Sequence, residues 1–157
     1  MDAATAAMTI DPRRPEGHFW WAANAGALAG VSNPFTALKL KTPVREALER
    51  SLAADPSYLH GAGYCALGKY YNAVPTWFGG NKAKSEQLLR QCLGFGAANT
   101  AGHYYLAQTL VAVGRVAEAR AELQAALATP VDAEFDAEIR VWKRCSARLL
   151  AKLDAAR

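Results

Sequence analysis

His18, His60 and His103 are the residues best able to move protons or hold a metal, and they recur at intervals of 42 and 43 residues. Such regular spacing belongs to a repeated unit. No H-E-x-x-H pair is present, and no carboxylate accompanies the histidines in a ligand pattern. Cys65, Cys92 and Cys145 are odd in number and widely spaced, without the C-x₂-C pairs of a zinc site or the even count of a disulfide framework. They read as small apolar groups at helix interfaces. His60 and Cys65 stand five apart, off a shared helix face, so a Cys–His nucleophile would need another element. Gly79-Gly-Asn-Lys-Ala-Lys-Ser85 echoes a phosphate loop but lacks its G-K-[ST] order and the preceding strand. Gly80 and Asn81 read instead as the turn and N-cap of a helix. No catalytic residue, metal ligand or cofactor is expected. The chemistry that is left is binding.

The elements that would present a binding surface follow from composition. The chain is 52% hydrophobic, yet its mean hydropathy is only −0.06, because 34 of its 157 residues are alanine and only five are Phe and four Trp. Alanine is the best helix former and lets backbones approach, so close-packed helices are expected. No run of 18 apolar residues occurs, which excludes a transmembrane helix. The net charge is +4, with basic residues scattered as Arg13–Arg14, Lys39 and Lys41, Lys82 and Lys84, and Lys143–Arg144. That distribution reads as a solvated surface, and no nucleic-acid partner is expected. No period-two alternation is sustained anywhere, so the predicted fold class is all-α.

The helices repeat. Residues 100–133 hold two helical stretches, His103 to Val113 and Val116 to Leu127, separated at Gly114. His103/Tyr104, Leu106-Ala107, Gly114, Ala119, Leu123 and Ala126 occupy the positions of the tetratricopeptide pattern. The preceding unit carries Leu67-Gly68 and Tyr71, then Ser85, Leu89 and Cys92-Leu93, with Val74–Gly80 as an insertion at the turn. Upstream, Glu16–Gly30 and Pro43–Ala54 form the next pair, with Val31–Thr42 a longer insertion between them. Ala3–Pro12 reads as the end of another second helix, so the chain is expected to begin mid-repeat, with any export signal outside it. Glu134–Leu153 shows a stripe of Phe135, Ile139, Trp142, Leu149 and Leu153 at helical spacing and is predicted to cap the stack. One helical-repeat domain therefore spans 1–157, divided at 1–12, 16–56, 57–98, 99–133 and 134–155, as a short right-handed solenoid of helical hairpins with a C-terminal capping helix.

In tetratricopeptide stacks the first helix of each pair lines a concave groove. The groove-facing positions known from that repeat family select Trp20 and Asn24, then Cys65, Lys69 and Asn72, then Tyr104 and Gln108. Thirteen of the fifteen aromatic residues precede residue 106. They concentrate where the insertions lie. Tyr64, Tyr71, Trp77 and Phe78 join Trp20 and Tyr104 as candidate walls of an aromatic pocket, because ligand sites are concave and mostly apolar. Trp77 and Phe78 carry that reading furthest, since a loop beside Pro75 and Gly79-Gly80 would ordinarily be polar. Asn24, Lys69, Asn72 and Gln108 would orient polar groups, with Lys69 as the carboxylate partner.

The run Leu67-Gly-Lys-Tyr-Tyr with Pro75, Gly79-Gly80, Lys84-Ser85 and Leu88-Leu89 resembles the central repeat of TatT-type tetratricopeptide-repeat proteins, which are associated with TRAP transporters. Pro15 to Ala29 is similar to that family's first helix, and Glu134 to Leu153 to its close. The resemblance implies a non-enzymatic accessory component of bacterial solute uptake. It further implies a periplasmic lipoprotein that binds a TRAP solute-binding protein and encloses a hydrophobic cavity for a small apolar or carboxylate ligand. The lipoprotein signal and lipidated cysteine of that family are not in this chain. The resemblance leaves a homo-oligomer open. The architecture is also similar to the regulator-of-microtubule-dynamics family, which would imply a general protein-interaction scaffold.

Overall fold

A computed structural model describes residues 2–96, 99–131 and 135–156. The expected start of the last helix at Glu134 and the unit boundaries at 98 and 133 lie outside the described residues. Among those described there are eight α-helices and no strand: α1 (Asp2–Ile10), α2 (Pro15–Val31), α3 (Pro34–Ala54), α4 (Tyr58–Ala73), α5 (Lys82–Leu93), α6 (Thr100–Ala112), α7 (Val116–Ala128) and α8 (Asp136–Ala155). The chain is all-α.

Most helix ends follow from local chemistry. Pro15 opens α2 at a position where its missing N–H costs nothing. The Asn81 side chain caps α5 by accepting from the Lys84 N–H at 2.9 Å, as the sequence predicted. Asn99 caps α6 in the same way through the Gly102 N–H. Gly114, at φ 79°, turns the chain between α6 and α7.

The first insertion differs from expectation. Sequence placed a helix start at Pro43 and left Val31–Thr42 as a connection. Instead α3 begins at Pro34 and runs through Pro43 without a break. Asn33 supplies a true cap, accepting from the Thr36 N–H at 3.0 Å, and Ala37-Leu-Lys-Leu-Lys41 are strong helix formers. Pro43 therefore removes one intrahelical donor without setting the boundary. The insertion becomes about two and a half extra turns of helix. The second insertion is a tight loop holding a short 3₁₀ turn at Thr76–Phe78, closed where the Asn81 N–H donates to the Tyr71 carbonyl at 3.0 Å.

Helix α4 also starts unexpectedly. Leu59, His60 and Gly61 take φ of 46°, 54° and 76°, a left-handed turn before right-handed helix resumes. For Leu and His that conformation costs about 1–2 kcal/mol each. A Cβ on Gly61 would lie 2.5 Å from the Phe95 ring, so glycine is required there on both counts.

Short connections pair α2 with α3, α4 with α5 and α6 with α7 as hairpins. Helices α2, α4 and α6 pack against one another in succession. Helix α8 lies on α6 and α7. Two apolar cores result, one around Phe19, Leu48 and Leu67, the other around Leu89, Leu106, Leu110 and Leu123. Ser85 pins the central helices together: its hydroxyl donates to the Gly68 carbonyl at 2.7 Å and sits 2.9 Å from the Thr109 hydroxyl.

The cysteine expectation is corrected. Cys65 and Cys92 do not pack as free thiols; they form a disulfide tying α4 to α5, with Cα atoms 5.4 Å apart. Their 27-residue separation hid this, because only the hairpin fold brings the two positions face to face. Cys145 is the odd thiol, half-buried and free.

Candidate functional site

The extra turns of α3, with α2, α4 and the 74–78 loop, line a cavity of about 960 Å³. Its α2 wall is made of small residues: Ala22, Ala23, Gly26, Ala27, Ala29 and Gly30. On one helix these alternate by three and four positions, so they share a face and leave a trough in place of side chains. A Cβ added at Gly26 or Gly30 would meet nothing within 4 Å. Opposite stand Leu38, Leu40 and Val44 of α3, and Phe78 closes the loop side.

The lining is almost wholly apolar. Its charged members among the described residues are two lysines, and no carboxylate belongs to it. The Lys41 ammonium donates to the Phe78 carbonyl at 2.6 Å. The Lys69 ammonium lies 5.1 Å from the centre of the Tyr105 ring and has no hydrogen bond or ion pair among the described residues. Burial pushes the Tyr70 hydroxyl, on the same wall, above the usual tyrosine range, so that group is a neutral donor at pH 7. The rim carries exposed apolar side chains, with Val31 86% and Phe35 67% accessible. Exposed apolar side chains around a concave apolar trough are a general mark of candidate binding sites.

A second cavity of about 560 Å³ lies between α2, α4, α6 and α8. It shares Ala23 and Ala66 with the first, so the two meet across the α2–α4 contact. Its lining is more polar, with His60, Asn99, Thr100 and Glu138 beside Phe19, Trp20 and Trp142. The Trp142 indole donates to the Glu138 carboxylate at 3.1 Å. Tyr105 lines this cavity, and burial holds its hydroxyl well above the ordinary tyrosine range. Lys69, lining the first cavity and facing a ring of the second, marks the junction.

The structure distributes the residues singled out in sequence. Lys69 and Phe78 come together in the larger cavity, and Trp20 lines the smaller one, its indole donating to the Tyr58 hydroxyl at 3.1 Å. The Asn24 amide donates back to the Trp20 carbonyl at 2.7 Å. Tyr64 stacks on Phe95 with centroids 5.5 Å apart. Tyr71 is buried in the first core, its hydroxyl accepting from Lys84 at 2.7 Å. The Asn72 side-chain carbonyl accepts from Lys82 at 2.6 Å. Trp77 is 80% exposed beside Phe78 and lines neither cavity. Tyr104 packs on Trp142, and its hydroxyl accepts from the Gln108 amide at 3.1 Å.

Sequence reasoning missed the wall itself. The signal was present as alanine and glycine at helical spacing in α2, but it read as close packing when it marks a trough. As for the histidines, the buried His18 ring donates to the Pro12 carbonyl at 2.8 Å, His60 meets the Phe135 ring edge-on, and His103 contacts Glu122 at 2.7 Å. No three metal-ligating side chains converge among the described residues. No described helix is long and apolar enough to cross a membrane.

Comparison with curated proteins returns no match. Comparison with family models matches residues 16–155, from the first turn of α2 to the end of α8, to the TRAP transporter T-component. That span takes in both cavities and every hairpin that builds them, and the chain belongs to the TRAP transporter T-component family.

Proposed function

We propose that this protein is a non-enzymatic accessory component of a bacterial TRAP-type uptake system. It binds the system's solute-binding protein and holds a small apolar or carboxylate ligand in its α2–α3–α4 cavity. The observation that carries the reading is an open, apolar cavity of about 960 Å³ inside the segment matched to the T-component family. The hairpins are read as tetratricopeptide-type units, supported by the succession α2–α4–α6 on one side and by the placement of α8 across α6 and α7. On this reading the first helices are the inner layer and α8 is a cap. A periplasmic location, by a lipid anchor in the full-length form, is supported independently by the Cys65–Cys92 disulfide, since such bonds persist in oxidising compartments.

The test is surface plasmon resonance between the purified chain and the solute-binding protein encoded beside the TRAP permease in the same genome. Saturable binding is expected. Its absence, with both proteins folded, overturns the accessory role.

A further inference from the structure

We infer that the larger cavity takes a singly charged acid with a long aliphatic body, its carboxylate on Lys69 and its chain along the alanine–glycine trough of α2. The inference rests on the ligand-binding part of the reading above and names the ligand's chemical class. The trough offers an unbroken apolar wall, and apolar surface removed from water there is the main source of affinity. Of the two cations in the lining, Lys41 is engaged by the Phe78 carbonyl, while Lys69 has no hydrogen bond or ion pair among the described residues. Lys69, exposed and held over the Tyr105 ring, is therefore the cation left to pair with a carboxylate.

The electrostatics also set the ligand's direction. Beyond Lys69 the second cavity carries the Glu138 carboxylate, which repels an acid entering it, whereas no carboxylate lines the first. The head stops at the junction and the chain runs back beneath Val31, Phe35 and Leu38, covering the exposed rim. A short diacid fits poorly, because its second charge would stand against apolar side chains without a partner.

Isothermal titration of the purified chain with octanoate, decanoate and dodecanoate below their micelle concentrations, with the matching alkanols, and with succinate separates these cases. Each added methylene should tighten alkanoate binding about fourfold until the trough is full. Lys69→Met should weaken the alkanoates about tenfold and leave the alkanols unchanged. Gly26→Leu should fold at least as well as wild type, because Leu outranks Gly in a helix and meets open space, yet weaken alkanoates and alkanols together. Alkanols matching alkanoates in wild type and in Lys69→Met would overturn the assignment of the head group. Succinate binding as tightly as dodecanoate, or an undiminished response in Gly26→Leu, would overturn the chain site. Binding of the solute-binding protein is read separately, so it stands or falls on its own measurement.

Discussion

Around α2, a Cβ added to Gly26 would meet nothing within 4 Å, whereas on α4 a Cβ added to Gly68 would lie 2.6 Å from Leu89 Cγ and 3.2 Å from the Ser85 carbonyl. The same residue type does opposite work in two regions of one chain. In the α4–α7 half, glycine and serine let helices touch, and Leu89, Leu106, Leu110 and Leu123 are fully buried. In the α2–α3 half a buried core around Phe19, Ala25 and Leu48 is joined by a second face, where small residues of α2 and the first turns of α3 line a cavity and leave apolar surface uncovered. Both halves hold a core, but only the first also keeps a cavity open beside it.

The comparison breaks most visibly in leucine deletions. Leu106→Ala should cost about 3–5 kcal/mol, because a filled core cannot close over the lost volume. Leu38→Ala, on the cavity wall and 44% exposed, should cost less than about 1 kcal/mol. Urea denaturation of both variants decides the matter, and equal losses would mean that the two halves are packed alike.

Next in size is the disulfide, which anchors the tight half. Replacing both Cys65 and Cys92 by serine should cost about 2–4 kcal/mol. Reductant should lower the Tm of the wild type and leave that of the double variant unchanged; an equal response in both would remove the bond from the account.

The glycine pair sharpens the contrast through its sign. Gly68→Ala should destabilise by about 1–3 kcal/mol through overpacking against Leu89. Gly26→Ala should stabilise by about 0.5–1 kcal/mol, since it gains helix propensity and displaces nothing. Thermal melts moving in the same direction would contradict the geometry.

The smallest effect is electrostatic. Glu86 of α5 is held below the ordinary value of 4.5, chiefly by its hydrogen bond from Arg90 and then by Arg115, which reaches it from the loop before α7. Its folded pKa is depressed, so its contribution is present above the unfolded value and lost as pH falls from about 4.5 through the lower folded value. Glu86→Gln should flatten the acid limb of a Tm-against-pH profile; an unchanged limb would show that the contact contributes nothing.

Much of the architecture was legible because its signals are local. The turn at Gly114, the cap at Asn81 and the amphipathic stripe through Ile139 and Trp142 each depend on residues within a few positions of one another. The length of α3 was misread because two prolines, Pro34 and Pro43, competed for the same start. Both follow a residue of capping type, Asn33 and Thr42, but only Asn33 caps, accepting from the Thr36 N–H, and Thr42 lies inside the helix. Among the candidate site residues, Lys69 and Phe78 reach the larger cavity, while Tyr71 and Asn72 are tied to α5 by Lys84 and Lys82. Repeat register assigns a residue to a helix face, but it does not say whether a neighbouring side chain already occupies that face.

The sequence by itself determined the helices, their order and most of their ends, since propensity, capping and periodicity act over one or two turns. Tertiary structure alone decided that Cys65 meets Cys92 and that Ala23, Gly26, Ala27 and Gly30 line a void where they could have packed tightly. Both outcomes depend on how far apart three helices come to rest, and that distance is set by every side chain between them.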